Sequence, residues 1–130
     1  MDRSKDWLRQ AKRDLERATI DIKYAFFEWA CFTSQQAAEK AIKAVFQAQN
    51  MSVRGHSTVK MLEGLKDQMD LSEEIFHAAR VLDRYYIESR DPNGFPEGSP
   101  MDFFDKKIAD EAYDAASQIL RWSENTICRL

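Results

Sequence analysis

Apolar residues recur every three or four positions along most of this chain. Between Ser4 and Tyr24, the residues Trp7, Leu8, Ala11, Leu15, Ala18 and Ile22 fall on one stripe, and Lys5, Arg9, Lys12, Arg13 and Glu16 lie mostly off it. That is the period of an amphipathic helix, with Ser4 placed to cap its start. From about Phe26 to Gln49 the pattern is denser. Phe27, Cys31, Ser34, Ala38, Ala41, Val45 and Ala48 step by four and three, and Ala30, Ala37 and Ala44 add a second seam. Two small-residue seams predict packing on two sides. One serves the core; the other is open to a second subunit, which makes a homodimer the expected assembly.

Punctuation separates the remaining elements. A connector from Asn50 to Ser57 contains Gly55, and Ser57 or Thr58 caps a short helix with Val59, Leu62 and Leu65 inward. Asp70-Leu71-Ser72 is the next break. Ser72 suits an N-cap, and Glu73 and Glu74 favour the positive helix start. The fourth helix then runs to about Arg90, with Ile75, Ala79, Leu82 and Tyr86 on its apolar face. Pro92 disfavours helical geometry at Asp91, and Asp91-Pro92-Asn93-Gly94 suits a tight turn. All three prolines lie between Pro92 and Pro100, which predicts a flexible loop there. A last helix is predicted from near Asp102 to Cys128, with Ile108, Ala112, Ala115, Ala116, Ile119 and Trp122 inward. No segment sustains strand alternation. The expectation is one all-α domain over residues 1–130, an antiparallel up-and-down bundle of four long helices plus a short one.

Composition narrows the function classes. The chain has 130 residues, enough for a sizeable core. Charged residues make up 32% of it, yet the net charge is only −3, which argues against wrapping in nucleic acid over the whole surface and leaves room for a local basic patch. No apolar run is long enough to span a bilayer, and Met1-Asp2-Arg3-Ser4-Lys5-Asp6 is charged where a signal peptide is apolar. A cytoplasmic protein with no membrane association is expected. Cys31 and Cys128 fit no CxxC, and with two separated histidines they offer no metal-ligand spacing. No phosphate-loop signature occurs. Neither a metal nor a cofactor is expected.

Candidate chemistry gathers on two helices. Asp83, Tyr86 and Arg90 are three and four residues apart and share a face. An arginine fork matches phosphate oxygens, and a tyrosine supplies an aromatic plane for a base. Asp83 is placed to orient Arg90 or a partner's cation. The plainer alternative is a tyrosine packed in the bundle, with polar neighbours at its edge. On the second helix Lys40 and Lys43 suit a phosphate, or else an ordinary Glu39–Lys43 ion pair on a solvated face. Arg54-Gly55-His56 precedes a helix start, where His56 either serves as an acid or base or fixes the loop. His77 stands alone and reads as a surface or structural residue.

Gln35-Gln36-Ala37-Ala38-Glu39-Lys40-Ala41-Ile42-Lys43 and Leu82-Asp83-Arg84-Tyr85-Tyr86-Ile87-Glu88-Ser89-Arg90-Asp91-Pro92 together carry a family resemblance. With Trp7-Leu8, Ala11, Asp14-Leu15 and His56 in the same order, the chain resembles a HEPN domain. The resemblance implies a small helical bundle that commonly pairs, tied to nucleotides, RNA and separate minimal nucleotidyltransferases. Ribonuclease members of the wider family carry an arginine followed, after four to six residues, by a histidine. Here Arg54 precedes His56 by two positions, no arginine lies at that distance before His77, and no histidine follows Arg90.

Three functions follow from this reading. The first is a non-catalytic, nucleotide- or RNA-binding subunit that partners a separate minimal nucleotidyltransferase. Its binding residues would be Tyr86 and Arg90, with Asp83, Lys40, Lys43 and His56 as further candidates. The second is a toxin-type, metal-independent ribonuclease with an altered site built from Arg90, Tyr86 and His56. The third is a helical dimerisation module without a ligand.

Overall fold

A computed structural model of the chain describes the backbone of all 130 residues and every side chain except those at positions 87 and 88, so that part of the tyrosine-rich motif lies outside the described side chains. The elements are α1 (Ser4–Lys23), α2 (Phe27–Ala48), α3 (Thr58–Glu63), α4 (Glu73–Glu88), a 3-10 turn at Pro92–Gly94, α5 (Pro100–Phe103) and α6 (Lys106–Cys128). Among the described residues there is no strand. Four long helices form the expected antiparallel bundle, and α2 is the central one, packed by α1, α4 and α6.

Local chemistry explains the ends. α1 does not begin on the Ser4 hydroxyl. Ser4 is buried as the first helical residue, and its N–H donates to Asp2 Oδ1 at 2.7 Å, so the acid two positions earlier does the capping. Ser72 caps α4 as expected, its hydroxyl accepting from Ile75 N at 3.2 Å. Ser57 does the same for α3, accepting from Lys60 N. Asp91-Pro92-Asn93-Gly94 closes as a turn, with Gly94 N donating to Asp91 O at 3.1 Å.

The turns after α1 and α2 share one geometry. Ala25 has φ 64 and Asn50 φ 57, both left-handed. Phe26 N donates to Asp21 O and Ala25 N to Ile22 O; Met51 N donates to Phe46 O and Asn50 N to Gln47 O. These are paired closures that satisfy the last helical carbonyls. Both residues bring a Cβ near the following carbonyl, but asparagine can offset this through its polar side chain, which alanine lacks.

Two expectations are corrected. The last predicted helix is two elements. Phe104 is extended (φ −107, ψ 132) and turns its ring inward against Tyr85, 5.5 Å away, so α5 ends and Asp105 caps a new helix by accepting from Ile108 N. Core burial of one aromatic outweighs helical continuity there. The second correction concerns α2. Ala30, Ala37 and Ala44 are as fully buried as Cys31, Ala38, Ala41 and Val45, all at 0% exposure. Both small-residue seams are therefore filled by this chain's own helices, and neither is left for a second subunit.

Candidate functional site

The loop before α3 is where the polar residues of the bundle converge. Gly55 has φ +100, a conformation that favours glycine, and it leads into His56, which lies between α2 and α4. Two buried side chains of α2 then hold that residue. Gln35, fully buried, donates through Nε2 to the His56 carbonyl at 2.7 Å, and its own Oε1 accepts from Gln36 Nε2. Glu39, 6% exposed in its side chain, meets His56 Nδ1 at 3.0 Å through one oxygen and accepts from Lys43 Nζ at 3.2 Å through the other.

Asp83 fixes the following residues. Its carboxylate accepts from Ser57 Oγ (2.7 Å), Thr58 N (2.8 Å), Thr58 Oγ1 (2.7 Å) and Val59 N (3.1 Å). A negative group on the first N–H groups of α3 is a strong cap. Its engagement is with α3, so the structure gives Asp83 a task other than orienting Arg90.

On α4 the aromatic and cationic groups do meet. The His56 ring lies parallel to Tyr86, with centroids 4.8 Å apart and planes 16° apart. Phe32 packs against Tyr86 at 6.0 Å, and Trp29 meets Phe32 edge-on at 6.1 Å. Arg90 sits just past the end of α4 rather than within it. Its guanidinium lies over Phe32 at 4.2 Å and Tyr86 at 4.9 Å, and Nε donates to the Tyr86 carbonyl at 3.2 Å. A guanidinium held over aromatic rings in this way keeps its remaining N–H donors for an anion.

Lys40 and Lys43 are placed differently. Lys40 is paired with Asp14 of α1 at 2.5 Å, both groups mostly sheltered. Lys43 divides itself between Glu39 and the Trp7 ring, 5.6 Å from its centroid. Their charges are spent inside the bundle. Lys43 reaches the site only indirectly, through Glu39. His77 is exposed on the outer face of α4, as is Arg54 in the loop before His56.

Sequence reasoning missed Phe32 and Trp29. Both lie off the seams of α2, and the usable signal is that large aromatics stand where the heptad pattern does not ask for them. It also missed Asp21, a buried acid that joins α1 to α2 by accepting from Thr33 Oγ1 at 3.1 Å and from Arg17 Nε at 3.0 Å.

The buried Cys31 is not poised as a thiolate. Burial pushes the Cys31 thiol up to about 12, reinforced by the charges of Glu111, Glu28 and Asp105, so it stays protonated. Among the described residues no group of three histidine, cysteine or acidic side chains is arranged to hold a metal ion. No helix is long and apolar enough to cross a membrane.

Comparisons with known proteins agree on one family. No curated protein matches the chain. Crystal structures do. TT1696 from Thermus thermophilus is 38% identical, with 97% of this chain and 99% of that one covered and a TM-score of 0.94. ST0689, an archaeal HEPN homologue, is also 38% identical, with 98% and 99% covered and a TM-score of 0.82. A HEPN domain protein from Thermotoga maritima is 35% identical, with 96% and 99% covered and a TM-score of 0.80. The HEPN domain model itself matches residues 4–126, a span that takes in both quoted motifs and the His56–Tyr86–Arg90 cluster. With the bundle, the motif order and these matches in agreement, the chain belongs to the HEPN domain family.

Proposed function

We propose that this HEPN chain is a non-catalytic subunit that binds a nucleotide or RNA through Arg90, Tyr86 and His56 and partners a separate minimal nucleotidyltransferase. One observation carries the binding site: the Arg90 guanidinium lies over the Phe32 and Tyr86 rings, 4.2 and 4.9 Å from their centroids, while His56 stacks on the same tyrosine. A run of flat groups accepts an unpaired base by stacking, and the guanidinium edge accepts a phosphate. The partner enters from the family resemblance, and this sequence carries no nucleotidyltransferase motif of its own. Calorimetry against ATP, GTP and short RNA is expected to find at least one interaction that Arg90→Ala weakens by about 1 kcal/mol or more. Equal binding by that variant, or no binding at all, would leave the ligand-free interaction module as the better account. Purification from the native source with mass identification of bound proteins tests the partner.

A homodimer belongs to this proposal on new grounds. Ile20, Tyr24, Phe26 and Trp29 are exposed around the α1–α2 turn, and Trp29 touches Phe32 of the aromatic cluster. Sedimentation at tens of micromolar (roughly the range where a stable interface persists) is expected to give a dimer, and Trp29→Glu a monomer.

The ribonuclease reading keeps one supporting observation. His56 is packed beside Tyr86 with its Nδ1 committed to a carboxylate, an arrangement used by catalytic imidazoles. Cleavage of RNA in chelator, lost in both His56→Ala and Arg90→Ala, would favour it.

A further inference from the structure

Buried polar side chains are costly in a helix that packs on three neighbours, and α2 carries two beside each other on the same face. Gln35 and Glu39 are one helical turn apart, and both point at a single residue, His56, whose own side chain is 58% exposed. Loop anchoring alone would need only Gln35 on the backbone carbonyl, since Asp83 already secures Ser57 to Val59. Glu39 adds something else: it holds the ring.

We propose that Glu39 is a positioning residue that locks His56 in the Nδ1-protonated tautomer, so that the site presents Nε2 as a hydrogen-bond acceptor for a ribose hydroxyl. A carboxylate has no proton to give, so Nδ1 must donate to it. In the neutral ring the other nitrogen is then a bare acceptor. Among the described residues nothing hydrogen-bonds to Nε2. Stacking of one ring face on Tyr86 and the Gln35 tie at the carbonyl support the orientation that Glu39 sets. Lys43 completes the device by occupying the second Glu39 oxygen, which aims the first at the imidazole. An acceptor beside an anion-seeking guanidinium and a stacking platform suits the hydroxyl of a ribonucleotide. Deoxyribose has none at the 2′ position. This ligand assignment rests on the nucleotide-binding reading; the tautomer does not.

The test has two arms. Nitrogen-15 NMR of the ligand-free protein, in buffer alkaline enough for a neutral imidazole, is expected to show His56 with its proton on Nδ1. Glu39→Gln is expected to reverse this. Its amide oxygen must face the Lys43 ammonium, which only donates, so its NH2 group faces Nδ1 and moves the ring proton to Nε2. A wild-type ring protonated on Nε2, or a tautomer unmoved by Glu39→Gln, overturns the positioning role. In the second arm a diribonucleotide is expected to bind about fivefold more tightly than its deoxy counterpart. Both Glu39→Gln and His56→Phe, which keeps a ring on Tyr86, are expected to erase that difference. Equal wild-type affinities overturn the acceptor role. If neither dinucleotide binds, the nucleotide-binding reading and the ribose assignment fail together, and the NMR arm alone decides the positioning role.

Discussion

Glu39 and Lys40 are neighbours on α2, and each makes a partly sheltered polar pair, yet the two pairs do different things. Lys40 and Asp14 are both mostly covered, at 23% and 17% exposure, and each satisfies the other. Nothing is offered to solvent; the pair ties α1 to α2. Glu39 is buried but its partner His56 is not, and the imidazole keeps one nitrogen unengaged. A closed pair holds structure together. A pair with one buried and one exposed member presents a group at a fixed angle. Adjacent residues in one motif can therefore close one contact and present another, according to how much of the partner remains in water.

That contrast can be broken by experiment. The largest effect is expected at Asp83, which supports the presenting side from below. Asp83→Ala leaves two backbone N–H groups and the Ser57 hydroxyl without their acceptor, while the Thr58 hydroxyl keeps the Ala79 carbonyl. Urea denaturation should show a loss of about 3 kcal/mol. Nucleotide affinity should fall as well, because the His56 loop loses its anchor. Asp14→Ala should cost about 1–2 kcal/mol by stranding a sheltered ammonium, and leave nucleotide affinity unchanged. If Asp14→Ala reduced binding as much as Asp83→Ala, the division between closed and presenting pairs would be wrong.

Two smaller effects sharpen the picture by probing parts of the α1–α2 hairpin that take no part in either pair. Cys31 holds its proton until about pH 12 in the fold, while an unfolded thiol releases it near 9. Between those values the unfolded chain binds fewer protons than the folded one, so stability falls as pH rises from about 9. Cys31→Ala should flatten that slope in alkaline melts, with binding at neutral pH unaltered. The smallest change is expected at the turn into α2. Ala25→Gly relieves a left-handed alanine and should raise stability by about 0.5–1 kcal/mol, against the entropy that glycine adds to the unfolded chain.

Much of this fold is legible in the order of residues, because apolar spacing and capping chemistry are local properties. Ser57, Ser72 and Pro92 mark boundaries that the structure keeps. Phe104 shows where local reasoning stops. Nothing nearby in sequence says that its ring will turn toward Tyr85 and break a helix. The alanine seams of α2 teach a similar lesson. Small residues announce close approach, but whether the approaching helix belongs to the same chain depends on where α6 packs, a long-range fact. At the site, Tyr86, Arg90 and His56 are individually visible as candidates, and the structure brings them together. The roles of Asp83 and Lys40 are not visible, since their partners lie 24 or more positions away, in and before α3 and on α1. Phe32 is missed for another reason: an aromatic residue on a helix reads as core until its neighbours are known.

The left-handed turn at Ala25 also bears on how fast the chain folds. α1 and α2 make the most extensive helix pair in the bundle, and Ala25 sits in the short link between them. Their hairpin closes with almost no loop to order, while α6 must wait for the whole chain. Such local pairing favours rapid folding, with this hairpin as the natural nucleus. Strain at Ala25 is then felt on the way in rather than on the way out. Relieving it with glycine should steepen the approach to the native state, seen as a faster refolding limb, while the unfolding limb stays nearly where it was.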